Sequence, residues 1–366
     1  MVQAQLVDRA KALIDDLSRT PRFAGSGEET QARNLCRREL EQAGFTCEEM
    51  PFMYSQWLAR WGTPLISFAL GVLTLAMSRL ARVANPIAPA VIIWAMIAVG
   101  WASTSSVGKG WILAFPWSRE IAVNLEARRG NPQVWLVAHL DSKSQTVPML
   151  LRIVGTVSLY LAAMLVALGG LAFRIWGAIA TPALTVAEVL AIIGTFTAGV
   201  CFIRNQSPGA VDNASGVAAV LLASQSAAAP KSLGVLITSG EELGLAGALA
   251  WSKRAPEQLL VLNCDTVDEA GAYRCMYSDH PHRITMIAEN EAKRLGISLK
   301  IGRLIPGIMA DSMVFSRWHW SAITLSRGTL GTLARIHTRR DNSAMLTGEG
   351  AAVASTLLSA IAGELS

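Results

Sequence analysis

Residues 235–248 read VLITSGEELGLAGA: an apolar run of strand character stops at Ser239 and Gly240, delivers Glu241 and Glu242, and continues into small residues suited to a helix. Two adjacent carboxylates at the end of a buried strand need a chemical reason, because a charge at the edge of a core is costly unless it is paired or bound to a metal. The rest of the chain repeats the pattern. "VWLVAHLD" (134–141) delivers His139 and Asp141, and "QLLVLNCD" (258–265) delivers Asp265. "SPGAVDNASG" (207–216) carries Asp212 just ahead of a helix, and "IHTRRDN" (336–342) carries His337.

These runs alternate with helical patterns, "ASGVAAVLLASQSAA" (214–228), "GLAGALAWSKRA" (244–255) and "RITMIAENEAKRLG" (283–296), before a last strand "SAITLSR" (321–327). The alternation argues for an α/β sandwich with a largely parallel central sheet. Sites in such sheets lie beyond the carboxyl ends of the strands. A single carboxylate at a strand end reads as a cap or turn residue; the recurrence here does not. Two His and three or four carboxylates converging from one sheet match a site for two divalent ions bridged by a carboxylate. Mixed N and O donors favour zinc over magnesium or calcium, with manganese or cobalt as substitutes. Asp141 is placed to accept the other ring N–H of His139 and fix its tautomer. Of the paired glutamates, one can bind metal while its neighbour takes a proton from the water that the metal activates.

Composition adds a second theme. The chain has 366 residues, 52% hydrophobic and only 16% charged, with a positive mean hydropathy; that is too apolar for an ordinary soluble enzyme. The net charge of +5 is mild and no Lys/Arg cluster is interleaved with aromatics, which excludes a nucleic-acid partner. Five cysteines, an odd number without a CxxC pair, indicate neither a disulfide framework nor a cysteine zinc site, and fit a reducing compartment. The N-terminal stretch predicts an amphipathic helix with Leu6, Ala10, Leu13, Ile14 and Leu17 on one face, not a secretory signal.

Four runs are long enough to cross a bilayer. Residues 61–78 and 83–108 carry no charge and are joined by "RLAR" (79–82), which makes one hairpin. Residues 153–173 and 175–203, the latter interrupted only by Glu188, turn at Arg174 and make a second. Trp57, Trp61, Trp101, Trp111 and Trp176 near the run ends suit an interfacial belt, and Glu188 suits snorkelling or a polar contact between helices. The lipid bilayer is therefore an expected partner. Residues 1–60, 109–147 and 204–366 then form one catalytic domain, interrupted by transmembrane hairpins at 61–108 and 148–203. Arg60, Lys109, Lys143, Arg152 and Arg204 on the domain side outnumber Arg79, Arg82 and Arg174 at the far turns. The expected location is a multi-pass protein of the cell membrane with the domain in the cytoplasm. The second hairpin re-enters the domain eight residues before Asp212; at no more than about 3.5 Å per residue, this tether holds the site within roughly 30 Å of the lipid surface.

In order, "AHLDS" (138–142), "GAVDNASG" (209–216), "SGEELGLAGA" (239–248), "NCD" (263–265) and "IHTRRD" (336–341) resemble the zinc exopeptidases of the bacterial leucyl aminopeptidase type, whose relatives include glutamate carboxypeptidases, glutaminyl cyclases and the transferrin-receptor ectodomain. The resemblance covers the aqueous part, including residues 21–49, and excludes the hairpins. It implies a zinc-exopeptidase-like three-layer sandwich holding two Zn2+ ions. Asp212 would bridge them, His139 and Asp265 would complete one site, and Glu242 and His337 the other. Glu241 would be the general base, the Asp212–Asn213 peptide would be cis, and "ADSMVF" around Asp311 would lie near the pocket. The family's short connection from the His strand to the bridging Asp is here a transmembrane hairpin, and the other hairpin precedes the strand carrying "NLEA" (124–127).

The activity implied is that of an aminopeptidase acting on peptides at the membrane surface. Two alternatives stay open: acyl transfer of the glutaminyl cyclase kind, with a single zinc, and an inactive scaffold. His280, His282 and His319 match no motif and read as surface or core residues, and Asp268 and Asp341 as supporting groups at the site or turn residues. Oligomeric state is not encoded in any of these motifs.

Overall fold

Leu233–Thr238, the strand at the head of the quoted stretch, and Val134–His139 are buried at every residue. Strands covered on both faces read as unbroken apolar runs rather than as alternations. The computed structural model describes residues 2–83, 85, 87–255, 258–280, 283–305, 307–317 and 320–366. His282 and His319 lie outside the described residues. In chain order the sheet strands are β1 Thr46–Ser55, β2 Arg119–Arg129, β3 Val134–His139, β4 Leu233–Thr238, β5 Leu260–Val267, β6 Tyr273–Tyr277, β7 Leu299–Arg303 and β8 Ser321–Arg327. They form one eight-stranded sheet in the order β1-β2-β4-β3-β5-β8-β6-β7.

The centre, β4-β3-β5-β8, is parallel. Antiparallel pairing of β2 with β4, of β1 with β2 and of β6 with β8 makes the sheet mixed at its margins. The α/β class with a mostly parallel central sheet is thus as the sequence indicates. Val2–Leu17, Ser215–Gln225 and Glu349–Leu365 pack on one another, and Ala246–Ser252 packs on Ser312–Arg317. In the first helix Ala10, Leu13, Ile14 and Leu17 are buried. The Ser215–Gln225 helix approaches the sheet so closely that a Cβ on Gly216 would stand 2.6 Å from the Cys264 carbonyl oxygen of β5. Trp135, Trp251, Phe315 and Trp320 build an aromatic core in which Trp251 lies 4.8 Å from Trp135, centroid to centroid, and donates its ring N–H to Glu126 Oε2 at 2.6 Å.

The chain divides into two compact units. One comprises the residues up to Ser55, Ile112–Ser144 and Asn205–Ser366, and holds the sheet; the other comprises Gln56–Trp111 and Gln145–Arg204. The second unit contains the helices Gln56–Ala81, Ile87–Lys109, Met149–Trp176 and Thr181–Gly199. Two helical segments, Gln56–Ala81 and Met149–Gly199, are long and apolar enough to cross a membrane, and Ile87–Ala102 is a shorter apolar helix. The turn expected at Arg174 instead falls at Gly177–Ala180, where Gly177 takes a φ of 59°, a conformation that suits glycine. The turn expected at 79–82 comes later too, because the helix continues through Ala81.

Small residues let these helices close on one another: an added Cβ on Gly71 would meet Thr195 Oγ1 at 1.7 Å, and one on Gly194 the Gly155 carbonyl at 2.6 Å. Large apolar side chains, among them Val72, Trp94, Ile97, Leu168, Val189 and Phe196, are exposed instead. Glu188 makes a polar contact between helices, accepting from Ser78 Oγ at 2.9 Å and Arg82 Nε at 3.3 Å.

Candidate metal centre

The parallel strands deliver the site. β3 ends on His139, β4 runs into the turn that carries Glu241 and Glu242, and β5 holds Asp265 near its end. Asp212 sits in the loop ahead of the Ser215–Gln225 helix, and the Asp212–Asn213 peptide is cis. Gly209 opens that loop at a φ of 62°, where a Cβ would stand 2.5 Å from the Ser142 Cβ. The Asn213 amide ties the loop to β5, donating to the Cys264 carbonyl at 2.9 Å and accepting the Thr266 N–H at 3.1 Å. His337 follows the Leu330–Arg335 helix with a φ of 60°.

Asp212 presents one oxygen to each imidazole. Its Oδ1 lies 3.2 Å from His139 Nε2 and its Oδ2 lies 3.1 Å from His337 Nε2. His139 Nε2 is also 3.5 Å from Asp265 Oδ1, and His337 Nε2 is 3.0 Å from Glu242 Oε1. Two buried groups result, His139-Asp212-Asp265 and Asp212-Glu242-His337, each with one donor atom per residue, all within 4.8 Å of one another. His139 Nε2 and Glu242 Oε1 are buried without a hydrogen-bond partner among the described residues, a costly condition for polar atoms. A divalent cation would satisfy both, and imidazole nitrogens with carboxylate oxygens are a donor set that suits zinc.

Electrostatics follow from crowding and burial. Burial pushes the Glu241 carboxyl well above its usual range; the His139 charge opposes this, while Asp265 and Glu242 add to the rise. Burial also works against ionising Asp212, yet the close approach of the His139 and His337 imidazoles holds it below the usual carboxylate range. Asp311 is pushed up to about 7 by burial, although Thr238 Oγ1 donates to it.

An outer ring of side chains holds the loops. His139 Nδ1 faces the Asp141 main-chain oxygen at 3.1 Å. The Asp141 carboxylate, expected to take that ring N–H, stands 3.6 Å from it and accepts the main-chain N–H groups of Glu241 and Glu242. Asp341 accepts those of Val211 at 2.7 Å and Asp212 at 3.2 Å, a supporting role. Asp268 accepts from Thr332 Oγ1 and from Arg335 at 2.7 Å, in the helix just before His337. His280 is exposed beside Asp279.

Two residues escaped sequence reasoning. Arg22 is buried and donates to the carbonyls of Leu17, Leu140, Pro208 and Gly209, joining the chain around His139 to the loop of Asp212. Its place in the "PRFAGSG" lead-in was the available signal. Lys143, read above as a charge flanking a hairpin, is buried in the site with its Nζ 2.8 Å from Glu242 Oε2.

A family model described as Peptidase family M28 matches residues 120–361. Comparison with curated proteins gives no match. Among solved structures, an aminopeptidase from Aneurinibacillus sp. strain AM-1 is similar at 15% identity and a TM-score of 0.57, over 97% of this chain and 93% of that one. BSAP, a zinc aminopeptidase from Bacillus subtilis, is similar at 14% identity and a TM-score of 0.58, over 98% and 95%. A glutaminyl cyclase from Porphyromonas gingivalis is similar at 13% identity and a TM-score of 0.56, over 97% of each chain. At these identities the likeness is one of fold.

Proposed function

Because the chain belongs to peptidase family M28, we propose that it is a membrane-integral zinc aminopeptidase that holds two zinc ions and removes N-terminal residues from peptides. The observation that carries this reading is the pair of buried His/carboxylate groups sharing Asp212, one oxygen toward each imidazole. In it, His139, Asp212 and Asp265 hold one zinc, and Asp212, Glu242 and His337 hold the other. When bound, zinc supplies Lewis acidity that polarises the scissile carbonyl and lowers the pKa of water.

The protein's own groups do the rest. Glu241 takes a proton from the attacking water and delivers it to the leaving amine nitrogen, the work of a positioned carboxylate. Asp141 orients Glu241 and Glu242 through their main-chain N–H groups, and Asp341 does the same for Asp212. Burial of every one of these carboxylates and imidazoles excludes bulk water from the reacting atoms.

The membrane reading rests on the second unit, whose helices bury glycine, alanine and serine and expose large apolar residues, the reverse of a soluble bundle. Four helices cross the bilayer in two hairpins, with the catalytic unit on the cytoplasmic side. The short tether to Asp212 favours peptides already held at the bilayer.

Glu241→Gln tests the assignment. The variant is expected to bind zinc as the wild type does and to lose at least about 10²-fold in kcat; retained zinc with an unchanged rate contradicts it.

A further inference from the structure

Lys143 sits four residues after His139 and reaches to the opposite metal group. Its Nζ donates to Glu242 twice, to the carboxylate Oε2 at 2.8 Å and to the main-chain carbonyl at 2.9 Å. A lysine that grips one residue by both its side chain and its backbone fixes the rotamer of that residue. Oε2 is thereby taken, and Oε1 alone faces His337 Nε2, unpartnered and buried. Lys143 is itself only 8% exposed, so its charge acts on Glu242 with little screening by water.

The two metal groups are unequal for this reason. Each contains one imidazole and shares Asp212. In the His139 group the second carboxylate is Asp265, whose side chain accepts from the Thr266 hydroxyl at 3.0 Å. Among the described residues no lysine or arginine forms an ion pair with Asp212 or Asp265, whereas the second carboxylate of the other group, Glu242, is paired with an ammonium. A cation entering beside Glu242 meets a neutralised ligand and a fixed positive charge.

Resting on the two-zinc reading above, we infer that Lys143 is a positioning residue that holds Glu242 to single-oxygen ligation and makes the Asp212-Glu242-His337 position the weaker of the two. The lysine sets the order of filling: the His139 position loads first, and the Glu242 position loads and empties at a higher zinc concentration. Removing the ammonium frees Oε2 and restores the full ligand charge, so both effects tighten the second step.

The experiment is a zinc titration of the full chain in detergent, stripped of metal and competed against a chromophoric chelator, for wild type, K143M, K143R and H337A. Wild type is expected to bind two ions in steps separated by at least about tenfold, with H337A lacking the weaker step. K143M is expected to tighten the weaker step at least about tenfold, because a unit positive charge beside the ligand no longer opposes the entering cation, and to leave the tighter step in place. K143R, which keeps the charge, is expected to keep the separation. Two indistinguishable steps in wild type, or a K143M second step that is unchanged or weaker, would overturn the inference while leaving the two-zinc reading intact. Saturation at fewer than two ions overturns that reading and the inference together.

Discussion

The Asp141 carboxylate accepts the main-chain N–H of Glu241 at 3.1 Å through one oxygen, and that of Glu242 at 3.2 Å through the other. One residue after Leu140 thus positions the turn that supplies both the proposed base and a proposed metal ligand. Asparagine offers only one acceptor oxygen and turns an N–H toward the other backbone N–H. Asp141→Asn is expected to lower kcat/KM by about 10- to 100-fold without unfolding the protein. Steady-state kinetics with a parallel thermal melt check this, and unchanged kinetics would show that the turn does not depend on Asp141.

Arg22 does for the loops what Asp141 does for the turn. Arg22→Met leaves the carbonyls of Leu17, Leu140 and Pro208 without the Arg22 donor, while that of Gly209 keeps the Ala214 N–H at 3.0 Å, and each buried orphan costs about 1–3 kcal/mol. The variant is expected to lose at least about 3 kcal/mol of stability and, because Leu140 follows His139 and Gly209 leads to Asp212, to bind zinc more weakly as well. Denaturation and chelator competition measure the two losses; a variant with wild-type values in both contradicts the role.

Glu29 predicts a pH dependence of stability. Ser26 caps the helix in which Glu29 lies, and the Glu29 carboxyl is buried, accepting from Ser239 Oγ and from the Gly25 N–H at 2.7 Å. Burial, with the nearby Asp141 charge, pushes it up from 4.5 to about 8. The folded protein therefore keeps this proton across a window in which the unfolded chain has lost it. Stability contributed by the protonated group is full below about pH 4.5 and is lost as the pH rises through about 8. Glu29→Gln is isosteric with the protonated form. Its Tm is expected to match wild type near pH 5 and to exceed it at pH 8; parallel curves for the two proteins would refute the burial argument.

How much of this was legible in the sequence varies with the range of the interaction. β3, β4 and β5 were legible because strands covered on both faces are unbroken apolar runs ending in polar residues. β1 and β7 are not singled out, since most of their residues are at least partly exposed and their pattern resembles that of loops; β6 is a short strand with Arg274 exposed within it. Lys143 reads in sequence as a charge beside an apolar run, and only the folded chain brings it to Glu242, 99 residues away. Arg22 is missed for the same reason, since its partners around His139 and Asp212 are distant in sequence. The break falls at Gly177–Ala180 and not at Arg174, because the glycine conformation at Gly177, rather than a charge, decides the turn.

The membrane proposal has its own test. A lipid-partitioning peptide and a short soluble peptide with the same first residues are compared in liposomes and in detergent. Confinement at the surface is expected to raise kcat/KM for the partitioning peptide selectively in liposomes. An equal ratio in the two media would reduce the hairpins to anchors.

The central claim is that a free N-terminal residue is hydrolysed at the site centred on Asp212. It is tested most directly by incubating the zinc-loaded full chain with a peptide beginning in glutamine, alongside its N-acetylated twin, and reading products by mass spectrometry. Free glutamine and the shortened peptide are expected from the first, and an intact second. Loss of ammonia with cyclisation of the glutamine, release of a residue from the other end, or no turnover by zinc-loaded protein would contradict it.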